Sequence, residues 1–266
     1  ASVQNDQWVD LWDAATGQAA GQHRVPDRYG VAESVRFSGD GTRLVVGTHQ
    51  GWVYAVDGST LEVVGQPVPV KVGVPVRGLA ANGDGARALV WSDRKLQLLD
   101  LMQGRVLKTV DPGFSAESWA WTPDGKAVVV VGSIPSQDGY GTVAFLDPGD
   151  LSTKSSEAGP HIAWGSIQFS PDGERFTTSG QDRVGLWELN PFGFMGSVRA
   201  ASDSAAGFVR GASDLLIASP DGKVSLWDPR PEAAVKAACR IASREITDAE
   251  WSTYLPERDR QPVCGS

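Results

Sequence analysis

Histidine and cysteine are scarce, at three and two in 266 residues. His23, His49 and His161 stand far apart and no Cys-x-x-Cys occurs, so the short-spaced ligand sets of a zinc site are missing. No metal is expected. The Gly-x-Ser-x-Gly elbow of many hydrolases is absent, as is the Gly-x4-Gly-Lys-Ser/Thr loop that cradles nucleotide phosphates. No catalytic residue and no cofactor are therefore expected. No run approaches the ~18 apolar residues of a membrane span. Positive charge is also thin. The 24 basic residues are scattered among 32 acidic ones, for a net charge of −8. Recognition of nucleic acid draws on clustered Lys and Arg at phosphates, so neither nucleic acid nor direct binding to an anionic membrane is expected.

What the chain does have is turns and a repeat. Glycine and proline number 31 and 16, high for a helical protein. Short apolar stretches closed by an acid recur as Val9-Asp10-Leu11-Trp12-Asp13, Val53-Tyr54-Ala55-Val56-Asp57 and Leu96-Gln97-Leu98-Leu99-Asp100. They continue as Val143-Ala144-Phe145-Leu146-Asp147, Val184-Gly185-Leu186-Trp187-Glu188 and Val224-Ser225-Leu226-Trp227-Asp228. The closing acids lie 44, 43, 47, 41 and 40 residues apart. A period of about 40–45 residues is that of a four-stranded propeller blade.

A second marker keeps phase. Asp-Gly pairs at Asp40-Gly41, Asp84-Gly85, Asp124-Gly125 and Asp172-Gly173 each follow a short apolar stretch and precede another strand. Glycine tolerates positive φ at little cost, so Asp-Gly between strands favours a tight hairpin. Each unit then reads as strand a, an Asp-Gly turn, strand b, strand c with its closing acid, and a weaker outer strand d. Such sheets bury both faces only when arranged side by side around an axis. The spacing of 47 is explained by an insertion at 133–141. Asn190 to Gly196 brings an apolar cluster after Trp187, with two readings: packing over an outer edge, or a partner patch built on Phe192, Phe194 and Met195. Trp119 and Trp121 align with Val35/Phe37 and Ile167/Phe169 and are expected in the core.

These residues resemble the WD40 family. Phe169-Ser170-Pro171-Asp172-Gly173 and the stretch from Ser179 to Glu188 look like its repeat pattern, and Trp12-Asp13 and Trp227-Asp228 match the eponymous dipeptide. The resemblance covers nearly residues 1–228 and implies an all-β, WD40-like β-propeller with six c-strands visible and about seven blades when complete. The family's Gly-His dipeptide is missing. That leaves Asp182 and Trp187 as a fragment of its buried Asp-His-Ser/Thr-Trp network. Only a partial strand b precedes the first c-strand, and Pro229 and Pro231 leave no strand d after the last. The native polypeptide is therefore expected to continue upstream.

Residues 229–266 form a short α-helical C-terminal tail of different character. Pro231 at a first helical position opens a helix to Ala242. Thr247 and Glu250 are spaced as a capping box, with Ile246 and Trp251 placed for a hydrophobic staple and Pro256 as the stop. Cys239 and Cys264 flank this segment. Their pairing would lock a tail that lacks strands, with two buried thiols as the alternative. Ala238-Cys239-Arg240-Ile241-Ala242 followed by Ile246-Thr247, Glu250-Trp251, Tyr254-Leu255-Pro256 and Cys264 resembles the ending of actinobacterial WD40 proteins, many of them STAND-type NTPases. That resemblance implies the C-terminal sensor portion of a larger regulator. It implies a cytoplasmic location, or an extracytoplasmic one if a transmembrane segment lies upstream.

The function expected is non-catalytic recognition of a protein partner, or of upstream domains of the same polypeptide. A propeller hydrolase and a purely structural scaffold are the alternatives. Candidate partner-binding residues are Trp52, Trp91 and Trp164, near strand ends or loops, together with Phe192, Phe194 and Met195.

Overall fold

A computed structural model of the chain describes residues 1–3, 7–76, 78–92, 94–134, 141–159, 165–180, 182–202, 204–209 and 214–264. Of the described residues, 50% are strand and 9% helical, in six antiparallel sheets followed by two short helices. The first sheet holds β1 (Ser2–Val3), β2 (Trp8–Trp12) and β3 (Ala19–Arg24). The second holds β4 (Ala32–Phe37), β5 (Arg43–Thr48), β6 (Trp52–Asp57) and β7 (Val63–Pro69). The third runs β8 (Leu79–Ala81), β9 (Arg87–Ser92), β10 (Lys95–Asp100) and β11 (Arg105–Val110). The fourth runs β12 (Ser115–Trp121), β13 (Val128–Ser133), β14 (Gly141–Leu146) and β15 (Thr153–Gly159). The fifth comprises β16 (Ile167–Phe169), β17 (Arg175–Ser179), β18 (Arg183–Leu189) and β19 (Phe192–Arg199), and the sixth β20 (Ala205–Phe208), β21 (Leu215–Ala218) and β22 (Val224–Trp227). Within every sheet, strands adjacent in sequence are adjacent in space.

The turns explain this plainness. In four sheets the first two strands are joined through Asp-Gly with the glycine at φ of +68° to +73°. The same hydrogen bonds recur at each. A side chain two residues ahead of the Asp (Ser38, Asn82, Thr122 or Ser170) donates to its Oδ1 and accepts from the backbone N–H five residues on. The acids that close the third strands work similarly. Asp13 Oδ1 accepts from the N–H groups of Ala15 and Thr16, and Asp57 Oδ1 from those of Ser59 and Thr60. These acids are turn-formers, as their spacing implies.

Strand alternation then sets the core. In the third strands of sheets two to four, residues two and four before the closing acid face the next sheet, and the residue just before the acid faces the previous one, as it does in sheet five. Val53 and Ala55 thus pack on the third sheet, Leu96 and Leu98 on the fourth, Val143 and Phe145 on the fifth. In the other direction Val56, Leu99, Leu146 and Trp187 pack on the sheet before. Five apolar clusters result, one between each pair of consecutive sheets. Burying one such Val, Leu or Phe side chain contributes about 1.5–3 kcal/mol. The first strands β4, β8, β12, β16 and β20 adjoin one another in that order.

The tail contains α1 (Pro231–Ala242) and α2 (Asp248–Tyr254). Thr247 accepts from the N–H of Glu250, whose carboxylate accepts from the N–H of Thr247, closing the capping box. Cys239 and Cys264 form a disulfide with Cα atoms 5.3 Å apart. Among the described residues no helix is long and apolar enough to cross a membrane.

Candidate functional site

The first strands of sheets two to five surround a hollow of about 370 Å³. Elsewhere in the sheets apolar residues meet apolar residues, but here the lining is mixed. Arg36 and Phe37 come from β4, Leu79 and Ala80 from β8, Glu117 to Trp121 from β12, and Ser166 with Ile167 and Gln168 from β16 and its approach. Strand alternation turns Val35, Leu79 and Ile167 towards the intersheet cores and leaves Arg36 and Gln168 exposed on the hollow, while Glu117, also exposed there, sits at the register shift between Ala116 and Ser118.

The polar groups are partly tethered. Arg36 Nη1 donates to the carbonyl of Val35 at 2.9 Å, Ser133 donates to Glu117 Oε1 at 3.3 Å, and the hydroxyls of Ser166 and Ser179 lie 2.6 Å apart. Trp119 is half-buried, and its Nε1 donates to the carbonyl of Leu89 at 3.1 Å, fixing the indole between the third and fourth sheets. The described lining offers a guanidinium, a carboxylate, an amide, hydroxyls and three large aromatic rings, with no imidazole or thiol. This suits it to hold polar and aromatic groups by hydrogen bonding and stacking.

The turn acids outside the hollow are held by local hydrogen bonds. The hydrogen bond from Ser38 holds Asp40 below the usual carboxylate range, as Thr122 does Asp124 and Ser170 does Asp172. Donation from Ser59 brings Asp57 down to about 2. Among the described residues, each carboxyl whose proton affinity is displaced is displaced downward.

The residues singled out in the sequence do not converge. Trp52 is half-buried on the second sheet, its ring 4.9 Å from that of Tyr29. Trp91, in the third, packs 6.4 Å from Trp119. Trp164 lies outside the described residues, as do 135–140 of the insertion. Phe192 and Phe194 belong to β19 and sit 5.8 and 5.0 Å from the Trp187 ring, whereas Met195 is 41% exposed. The stretch after Trp187 thus forms a fourth strand whose phenylalanines complete the core between sheets four and five. Trp187 Nε1 donates to Thr178 Oγ1 at 3.0 Å in the interior, and Asp182 pairs with Arg183 rather than with Trp187 or Thr178.

Sequence reasoning placed Trp119 and Trp121 in the core. Both are half-buried, packed against it on one side and lining the hollow on the other. The missed signal is polar: Arg36, Glu117 and Gln168 interrupt strands otherwise read as compact and apolar. No protein-family model and no curated protein matches the chain.

Proposed function

We propose that the chain is a WD40-like β-propeller that recognises a protein partner without catalysis, and that the hollow between its first strands is the recognition site. The observation that carries the reading is the lining itself: Arg36, Glu117 and Gln168 exposed beside Phe37, Trp119 and Trp121, contributed by separate sheets. Three strands, β4, β12 and β16, hold these groups in fixed relation, which suits recognition of a polar or aromatic loop. The succession of first strands and the five intersheet cores support the propeller. The tail's resemblance supports a role as the sensor of a larger regulatory protein.

The test is a peptide array probed with the purified chain, followed by titration of each hit against indole fluorescence. Hits should lose about tenfold or more in affinity when Arg36→Glu or Trp121→Ala removes a contact worth about 1.5 kcal/mol. Hits indifferent to both substitutions overturn the site. Turnover of ester, peptide or glycoside substrates that one point substitution abolishes overturns the non-catalytic reading.

A further inference from the structure

The third sheet departs from its neighbours where its first strand meets the hollow. At the last position of the first strand, sheets two, four and five carry Phe37, Trp121 and Phe169, whereas the third carries Ala81. One position earlier, Ala80 stands where β4 has Arg36. Side chains of the adjoining strands close in on this gap. Val35 packs in the core between the first two sheets, so Arg36, the next residue along, faces the third sheet. Trp121 packs on the core between sheets three and four and faces the third sheet from the other side. β8 adjoins both β4 and β12. A notch floored by Ala80 and Ala81 therefore lies between a guanidinium and an indole. Away from the turns it is closed by Trp119, whose ring covers Gly78 so closely that a Cβ there would lie 2.7 Å from it.

Towards the turns the notch opens. Trp121 is a wall both of the hollow and of a groove of about 660 Å³ between sheets three and four. The carboxylates of this groove are engaged within their own turns. Asp84 Oδ1 accepts from Asn82 Nδ2 and from the N–H of Ala86, and Asp147 accepts from the N–H of Gly149 and pairs with Lys154 at 3.0 Å. Arg87, exposed on the groove, has no hydrogen-bond or ion-pair partner for its side chain among the described residues. The Arg36 side chain donates only to the carbonyl of Val35 among them. The unspent charge along this path is thus cationic, in a chain whose net charge is −8. We infer that notch and groove form one track for an extended acidic segment of a partner protein. An aromatic side chain of the segment lies over Ala80 and Ala81 between Arg36 and Trp121, and a carboxylate side chain meets Arg87. A ring in the notch stacks against both an indole and a guanidinium, and the carboxylate gains charge-assisted hydrogen bonds. Ala81 pairs with Ala88, so Arg87 lies one position beyond the notch. An extended chain advances about 3.3–3.6 Å per residue, which sets the acid about two positions from the ring. The groove is larger than the hollow, so a single side chain leaves most of the track empty and a run of residues fills it. The inference rests on the reading of the hollow as a recognition site, and adds the chemistry and path of its ligand.

The experiment uses the whole chain and a set of capped, fluorescently labelled Gly-Ser peptides of about ten residues. Each carries one Tyr and one Glu, in either order and at spacings of about one to four positions. Anisotropy reads the affinities. One spacing should bind best, and changing its Glu to Lys should weaken binding about tenfold, its Tyr to Leu about fivefold. The chain variant Arg87→Glu should weaken the Glu peptide about tenfold or more and bind the Lys peptide better than the native chain does. Arg105→Glu makes the same change of net charge on β11, outside the track, and should leave both affinities within about twofold. Both sites are exposed, and unchanged circular dichroism checks that the fold is intact. The inference is overturned, and the hollow stands as a recognition site, if ligands of the set or the array that need Arg36 and Trp121 tolerate Arg87→Glu and show no preference for the acid. Both readings fall if no ligand of the set or the array needs Arg36 or Trp121.

Discussion

In the fifth sheet Trp187 lies fully buried between Phe176 and Phe192, in a core that the fourth sheet completes with Val129, Val131, Val143 and Phe145. In the tail, Ile241 and Tyr254 stand exposed, and order comes from nearby polar and covalent links. These are the capping box, the two bonds from Arg244 to the Glu250 carboxylate, the Arg260–Asp248 pair and the disulfide. The sheets, stacked in sequence, have enough apolar surface to cover one another. A segment of two short helices does not, and small units of this kind are held by staples. Burial thus stabilises the β body through the cooperation of neighbouring sheets, whereas the tail is closed upon itself.

The substitution that would break this contrast most sharply is Trp187→Ala. Removing a fully buried tryptophan should cost about 4 kcal/mol, and it leaves the Thr178 hydroxyl without its indole donor. Urea unfolding followed by circular dichroism should show the loss in the sheets, while exchange protection in α1 and α2 stays unchanged. A loss below about 1 kcal/mol, the range of ordinary surface substitutions, would mean that the site repacks and that cooperation between sheets is weaker than this burial implies.

The same contrast explains what could be read in the sequence. Apolar stretches closed by an acid and Asp-Gly pairs are local signals repeated at one period, so the strands, their turns and the change of character at Pro229 were all legible. The tail's capping box was legible because its partners, Thr247 and Glu250, lie within one turn. The hollow was not. Its lining arises when single residues of four strands, separated by about forty positions each, turn inward together, and nothing local marks Glu117 or Gln168 as neighbours of Arg36. Phe192 and Phe194 were ambiguous for a related reason: the core they complete belongs partly to Phe145 of the preceding sheet.

A second, smaller effect tests the tail. Cys239→Ser opens a loop of sequence separation 25, which on the chain-entropy estimate is worth about 3.5 kcal/mol. If the tail is closed by its own links, exchange in α1 and α2 should rise steeply while the unfolding midpoint of the sheets stays fixed. Chemical reduction of the native chain should reproduce the result. A sheet midpoint that drops in step with the tail would show that the two regions stabilise one another.

The smallest effect concerns a buried titratable pair in the β body. His23 of β3 is buried, with Nδ1 2.9 Å from the carbonyl of Leu61 and Nε2 3.1 Å from the Tyr54 hydroxyl. A carbonyl can only accept, so Nδ1 carries the proton and Nε2 accepts from Tyr54. Protonation would place a charge in the core between the first and second sheets and leave the tyrosine hydroxyl without an acceptor. Burial accordingly lowers the His23 pKa from the ordinary 6.5, even though the Leu61 carbonyl opposes it. The unfolded chain then binds the proton more readily than the folded one. The contribution to stability is fully present above about pH 6.5, declines as pH falls through that value towards the native pKa, and is constant below it. His23→Gln keeps polar atoms at the site but does not titrate. Unfolding midpoints of both proteins from pH 8 to pH 5 should therefore diverge, the native chain losing more stability on acidification, by less than either substitution above. Parallel curves would show that His23 is as readily protonated folded as unfolded, and that a body held by apolar burial admits a charge at this seam without loss.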